Sequence, residues 1–211
     1  MAQKTITRLG FYRRVLRQLA ARDTERVFSH ELAALSGTTA AQVRRDLMMI
    51  GYEGKPTKGY DVRGLADSIG DFLDSPEGMG VALVGVGNVG RAVIGYFSDR
   101  HAKLAIVAAF DKDVYKVGRL IGGCPCYPIT ELSRVVREAG ILVAVIAVPA
   151  TEAQDAADKL VAAGVRGLLN FAPVSLKVPP FVFVESLDIT ISLEKVAYFA
   201  RQKESEADGK P

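Results

Sequence analysis

Apolar residues recur with two different periods along this 211-residue chain, and the change of period divides it. Up to Leu73 the period is helical. Leu9, Tyr12, Leu16 and Leu19 mark one stripe of a helix predicted from a Thr7 cap to about Ala21. Ser29 predicts the cap of a second helix, Glu31 to Ser36, with Gly37 as its C′ residue. Thr39-Ala40-Ala41-Gln42 fits a capping box, with Gln42 placed to reach back to the cap. Val43, Leu47 and Ile50 then follow at i, i+4, i+7 and define a buried face. That geometry turns Ala41, Gln42, Arg45, Met48 and Met49 toward solvent and leaves Arg44 at the edge. Leu65, Ile69, Phe72 and Leu73 resume the helical spacing before Asp74-Ser75-Pro76-Glu77-Gly78 breaks it.

Beyond that break, short apolar runs alternate with helix-like segments. Strands are predicted at Val81 to Val84, Leu104 to Phe110, Cys124 to Tyr127, Leu142 to Val148, Gly167 to Phe171 and Val182 to Glu185. Helices are predicted at Arg91 to Asp99, Thr130 to Ala139 and Thr151 to Ala163. This alternation implies an α/β fold with a Rossmann-type doubly wound parallel sheet. Ile191 to Gln202 reads as a last amphipathic helix with Leu193, Val196, Ala197 and Phe199 apolar, and Lys203 to Pro211 as a disordered polar tail. The expected division is 1–76, 77–190 and 191–211.

Charge sharpens that division. Residues 1–60 hold eleven Lys/Arg against five Asp/Glu, whereas the remainder holds sixteen against nineteen. A head of net +6 on a body of net −3 is the asymmetry of a nucleic-acid module joined to another domain. Two helices joined by a short turn, the second opening on small residues (Thr39, Ala41) and exposing Gln42 and arginines, form a helix-turn-helix pattern. Tyr52 to Tyr60 reads as a two-stranded wing with Lys55 and Lys58 near its tip. The whole head is then a winged helix; a basic three-helix domain used for protein contacts is the plainer alternative. Arg13 and Arg17 lie one turn apart, away from the apolar stripe of the first helix.

Composition, 49% hydrophobic and 24% charged, fits an ordinary soluble domain. The longest apolar stretch, Ile141 to Ala150, is too short for a membrane span, and Met1 to Leu9 lacks a signal-peptide core. The chain is therefore expected in the cytoplasm, with no membrane partner. Cys124 and Cys126 form C-P-C, too close for a structural disulfide and without companions for a zinc site. No metal is expected.

The chemistry concentrates at Val81-Ala82-Leu83-Val84-Gly85-Val86-Gly87-Asn88-Val89-Gly90, where a strand runs into G-x-G-x-x-G at a helix start. Asp111 lies 21 residues past Gly90 and is placed to accept from a ribose 2′-hydroxyl. No arginine stands there to invite a 2′-phosphate, although Lys112 is adjacent, so the expected ligand is NAD(H) rather than NADP(H). The alternative is a buried glycine turn with a surface aspartate. Val148-Pro149 and Asn170-Phe171-Ala172-Pro173 end strands beside the same crevice, where both prolines also serve as ordinary turn residues. Acid–base equipment is missing: neither His30 nor His101 is suitably placed, and no tyrosine has a lysine four positions on. A nucleotide domain joined to a DNA-binding head then suggests a sensor rather than an enzyme. An NAD(H)-dependent oxidoreductase with a basic oligomerisation head, and a coenzyme A-binding module, stay open as alternatives.

The order winged helix, V-G-x-G-N-[IV]-G-R-A, F-D-x-D, A-V-P-A and L-N-F-A-P resembles the redox-sensing transcriptional repressors of the Rex family. Matching segments include Gln42 to Leu47, Gly59-Tyr60, Gly85 to Ala92, Phe110-Asp111, Lys116-Val117-Gly118, Ala147 to Ala150, Gly167 to Pro173 and Leu187 to Thr190. The resemblance implies a homodimer that binds a palindromic double-stranded operator when NADH is scarce and leaves it when NADH binds. It implies a last helix swapped between subunits. It places Gly85, Val86, Gly87, Asn88, Val89, Gly90, Asp111, Lys112, Val148, Pro149, Asn170, Phe171, Ala172 and Pro173 at the cofactor. It places Gln42, Arg44, Arg45, Lys55, Lys58, Gly59 and Tyr60 toward DNA, beside Arg13, Thr39, Ala41 and Met48. Arg14, Tyr96 and Asp188 match the family's switch residues. The chain departs from the family at Met48-Met49-Ile50, where S-Y-F is usual, and at Pro56-Thr57, where the wing usually has R-G. Ile189 stands where an aromatic residue is common.

Overall fold

Thr7, expected to cap the first helix, lies inside it. In the computed structural model, which describes residues 2–54, 58–98 and 103–207, α1 (Gln3–Ala20) starts after an Ala2 cap, and the Thr7 hydroxyl donates to the Gln3 carbonyl. Two compact units result, Met1–Glu77 and Gly78–Pro211.

In the first unit, Leu9, Tyr12 and Leu16 of α1 are fully buried, as their spacing requires. They pack with residues of α2 (Ser29–Ser36), α3 (Ala40–Met49) and α4 (Val62–Leu73). Helix α2 begins two residues earlier than expected, because the Phe28 N–H donates to the Glu31 carboxylate and closes the first turn. Gly37 ends it in the left-handed region, φ 64°. Asp61 caps α4 by accepting from the Gly64 N–H, and Phe72, expected in its apolar stripe, is exposed.

The wing differs from its expected pairing. Strand β2 (Tyr60–Asp61) pairs antiparallel with β1 (Arg26–Val27), which precedes α2, and residues 52–54 are not in a strand. Tyr52 instead sets its ring 6.2 Å from that of Tyr60. Lys55, Pro56 and Thr57 lie outside the described residues.

The second unit is a seven-stranded sheet. Its members are β3 (Met79–Val84), β4 (Leu104–Asp111), β5 (Leu120–Ile121), β6 (Cys124–Pro128), β7 (Val143–Ile146), β8 (Gly167–Asn170) and β9 (Phe183–Ser186). The order β5-β6-β4-β3-β7-β8-β9 is parallel throughout except for β5 against β6. Alternate side chains serve opposite faces. Ala82 and Val84 join Leu132, Val136 and Leu160 on one face, from α6 (Leu132–Glu138) and α7 (Ala150–Ala162). Val81 and Leu83 join Val93 and Ile94 of α5 (Asn88–Ser98) on the other. The order of strand addition reverses at β3, which has β4 on one side and β7 on the other. In such sheets the crevice opens at the carboxyl ends of the strands beside this reversal.

The last helix, α8 (Ile189–Ala207), is longer than expected and takes in residues 203–207, part of the stretch read as a disordered tail. Among the described residues no helix is long and apolar enough to cross a membrane.

Candidate functional site

Each glycine of the nucleotide loop has a separate physical reason. Gly85 turns at φ 94°, and a Cβ there would sit 2.5 Å from the Ala147 carbonyl oxygen. Gly90 lies where a Cβ would overlap the Gly85 carbonyl oxygen, so α5 can reach β3 only without a side chain. At Gly87 a Cβ meets nothing within 4 Å. The space left there, against the start of α5, is the cradle that a pyrophosphate needs.

Asp111 closes the loop from the next strand. Its Oδ2 accepts from the Val86 N–H at 2.8 Å and from Lys116 Nζ at 3.0 Å, while Oδ1 accepts from the Asp113 N–H at 2.9 Å. Burial alone would raise its pKa, but the Asp113 and Val86 amides and Lys116 outweigh burial and hold the carboxyl below its ordinary value. Two acceptor positions are thereby used on Oδ2 and one on Oδ1, leaving one on Oδ1 for an incoming hydroxyl. The residues present therefore fit a dinucleotide.

A cavity of about 470 Å³ opens beside this loop. Gly85, Gly87, Asp111, Lys112, Val148 and Pro149 line it. Its other walls were missed: Phe110 and Ile129 on the apolar side, Lys116, and a polar wall from α7 that includes Thr151, Glu152, Asp155 and Lys159. Position was the available signal for α7, since a helix that follows a crevice strand presents its first turns to the ligand.

Other expected cofactor residues are placed differently. Asn88 and Val89 are exposed at the start of α5, outside the cavity wall. Asn170, Phe171, Ala172 and Pro173 do not line it either. Asn170 is fully buried; its amide oxygen accepts from the Ala172 N–H, and its nitrogen donates to the carbonyls of Ala172 and Val174. Its side chain is spent on fastening its own loop. Phe171 packs against the sheet, Ala172 is buried and Pro173 is exposed.

The amino-terminal unit presents a second site on α3. Thr39 caps it, accepting from the Gln42 N–H at 3.2 Å. Gln42 does not reach back to the cap. It donates at 2.9 Å to Asp46, and its amide oxygen faces Arg45 at 3.4 Å. Arg44 and Arg45 are exposed, Ala41 is exposed, and Met48 is 67% exposed. Arg44 donates to the Ser29 hydroxyl. Lys58 is exposed near the wing.

Three residues expected at DNA are committed elsewhere. Arg13 is half-buried and pairs with Asp74 at 2.7 Å. Tyr60 is 9% exposed within the core, and Gly59 is buried against the Val27 carbonyl. Tyr60 belongs to the β1–β2 pairing and Gly59 directly precedes it.

Asp46 was missed. It is fully buried, bound by Arg8 through Nε at 2.6 Å and Nη2 at 2.7 Å, and by the Tyr12 hydroxyl at 3.0 Å. Burial would raise its pKa, but hydrogen bonds from Arg8, Gln42 and Tyr12 outweigh that and lower it. Burial, with Asp46 beside it, pushes the Tyr12 hydroxyl up to about 12. A charge between Val43 and Leu47 on the apolar face was the available signal.

Of the switch residues, Arg14 is exposed with its guanidinium 4.7 Å from the centre of the Phe11 ring. Tyr96 is exposed and meets Phe97 edge to face. Asp188 accepts from the Ile191 N–H at 3.0 Å and so caps α8. Cys124 and Cys126 are free and buried in β6, and burial pushes the Cys124 thiol up to about 11. Among the described residues no cluster of three or more metal-ligating side chains occurs.

Comparison with known proteins adds to this geometry. Residues 77–174 match the CoA binding domain family, and residues 1–47 match the putative DNA-binding protein N-terminus family. The chain is 40% identical over 200 residues to the redox-sensing transcriptional repressor Rex of Carboxydothermus hydrogenoformans, covering 95% of this chain and 96% of that protein. It belongs to the Rex family. A second Rex, from a Roseiflexus species, is 41% identical across 92% of this chain and 88% of its own length. The solved Rex-family repressor RSP, in complex with beta-NAD⁺ and operator DNA, superposes with a TM-score of 0.89 at 29% identity, covering 99% of this chain and 96% of that one. Its beta-NADH complex superposes at 0.87, covering 100% and 99%. The Rex-type fold thus runs the length of this chain: a helical DNA-binding part, then a Rossmann-like nucleotide domain.

Proposed function

We propose that this chain is an NADH-responsive transcriptional repressor, which holds operator DNA when NADH is scarce and releases it when NADH fills the crevice beside Gly85 to Gly90. One observation carries the reading. A single chain presents an arginine-bearing helix α3 and a nucleotide crevice, at 40% identity to a Rex repressor over nearly its whole length. Backbone amides around Gly87 and the start of α5 would hold the pyrophosphate, and Asp111 Oδ1 would accept from the ribose. The nicotinamide supplies the signal through its redox state. We read residues 1–76 as the DNA-binding part, 77–190 as the nucleotide part, and the site as a receptor in the cytoplasm rather than a catalytic centre.

A direct test selects a duplex from random sequence against the protein, then titrates it without nucleotide, with NAD⁺ and with NADH. An allosteric linkage of about 1–3 kcal/mol makes NADH weaken operator binding roughly 5- to 150-fold. Arg45→Ala should lose sequence discrimination while keeping NADH affinity. Equal operator affinity in saturating NADH and in buffer would defeat the reading. Steady oxidation of NADH with a carbonyl substrate would favour an oxidoreductase instead.

The dimer is part of the same proposal. Ile189, Leu193, Val196 and Phe199 of α8 are all more than half exposed. A helix this apolar needs cover, and a second copy, exchanging the helix, is the occupant the resemblance implies. Light scattering on the full chain at micromolar concentration should return the mass of two chains; the mass of one would remove the swap.

A further inference from the structure

The cavity wall carries three lysines, and all three face carboxylates. Lys116 holds Asp111 at 3.0 Å, Lys112 reaches Glu152 at 2.5 Å, and Lys159 pairs with Asp155 at 2.6 Å. Lysine is a flexible point charge that readily serves phosphate. Three of them beside the ribose-recognising Asp111 would, unpaired, invite the 2′-phosphate that distinguishes NADPH from NADH. As built, positive and negative charges in this wall balance.

The Lys112–Glu152 pair differs from the other two. Lys116 is bound to the aspartate that a dinucleotide ribose would need, and Lys159 pairs within its own helix, four residues from Asp155. Lys112 sits directly after β4, and its partner comes from α7, forty residues on, both in the lining of the cavity. Its Nζ is thereby held against α7. The pair is largely exposed and adds little to folding. What it changes is the local potential at the place where a 2′-substituent would lie.

We infer that Glu152 is a specificity-determining residue: by engaging Lys112 it withholds a cation that could meet a 2′-phosphate, and so excludes NADPH. Asp111 rejects that group by repulsion, and Glu152 removes the compensation. The inference rests on the NADH reading of the crevice.

The experiment measures dissociation constants of NADH and NADPH for the full chain by calorimetry or nucleotide fluorescence. A phosphomonoester carries about two negative charges near neutral pH. Glu152→Gln should therefore raise the affinity for NADPH relative to NADH by about tenfold, the effect of one new charge-assisted contact. Adding Lys112→Met to Glu152→Gln should abolish the gain, and Glu152→Asp should keep most of the wild-type discrimination. The gain should shrink as salt is raised. If Glu152→Gln binds NADH normally but leaves NADPH unchanged, or if the gain survives Lys112→Met, the role of Glu152 is wrong while the NADH reading stands. If the wild-type chain fails to bind NADH, the reading beneath it fails.

Discussion

Asp46→Ala is expected to destabilise the amino-terminal unit by about 2–4 kcal/mol, the cost of losing charged hydrogen bonds and leaving a buried donor unmet. Asp46 is the common acceptor for Arg8, Tyr12 and Gln42, which come from two helices. Arg8 is about a quarter exposed and can return to water, but Tyr12 is fully buried and its hydroxyl cannot. Most of the loss therefore arises at Tyr12. For a unit of this size the change lowers the melting temperature by on the order of 10–20 °C, and a calorimetric scan reads it. Asp46→Asn keeps the shape and can still accept from Tyr12, so it should cost less. The pH dependence has a fixed sign. The folded pKa of Asp46 lies below the ordinary value, so its contribution is complete above the unfolded pKa of about 4 and fades as pH falls toward the folded one. Asp46→Asn should lack that acid-side loss. A variant within about 0.5 kcal/mol of wild type would mean the cluster is not what joins α3 to α1.

That residue also marks how far the sequence could be read. Leu9, Tyr12 and Leu16, the Thr39 cap and the three loop glycines all act over one or two turns or one strand–helix junction, where local spacing sets the outcome. Local spacing can flag Asp46 as a charge on the apolar face but cannot name its partners, because Arg8 and Tyr12 lie 38 and 34 residues away. The wing failed for the same reason. Its strand pairs with Arg26–Val27 across two intervening helices, and that pairing carries Tyr60 into the core. Side-chain direction was the other gap. Asn170 ends β8, yet its amide turns into its own loop, which only the loop conformation decides. The far wall of the crevice, from Thr151 to Lys159, follows from the crossover geometry and carries no motif of its own.

The glycine loop supplies the second large effect, and it separates binding from folding. Gly87→Ala should leave stability within about 0.5 kcal/mol of wild type, since the new methyl meets nothing and the backbone is not in the left-handed region. NADH binding should nonetheless fall at least about tenfold, a loss of roughly 1.4 kcal/mol, because the methyl occupies the space through which backbone amides meet the pyrophosphate. Gly90→Ala should fail differently. Its methyl overlaps the Gly85 carbonyl oxygen, so α5 must move away from β3, at about 1–3 kcal/mol of overpacking strain. Stability and NADH affinity then fall together. Paired measurements of urea midpoint and NADH dissociation constant distinguish the two variants. If Gly87→Ala binds NADH as wild type does, the pyrophosphate does not lie against this loop, and the sensor must hold its nucleotide elsewhere. If Gly90→Ala is as stable as wild type, helix and strand are not locked there. The expected split, binding alone at Gly87 and both at Gly90, follows from the two Cβ environments before any ligand is placed.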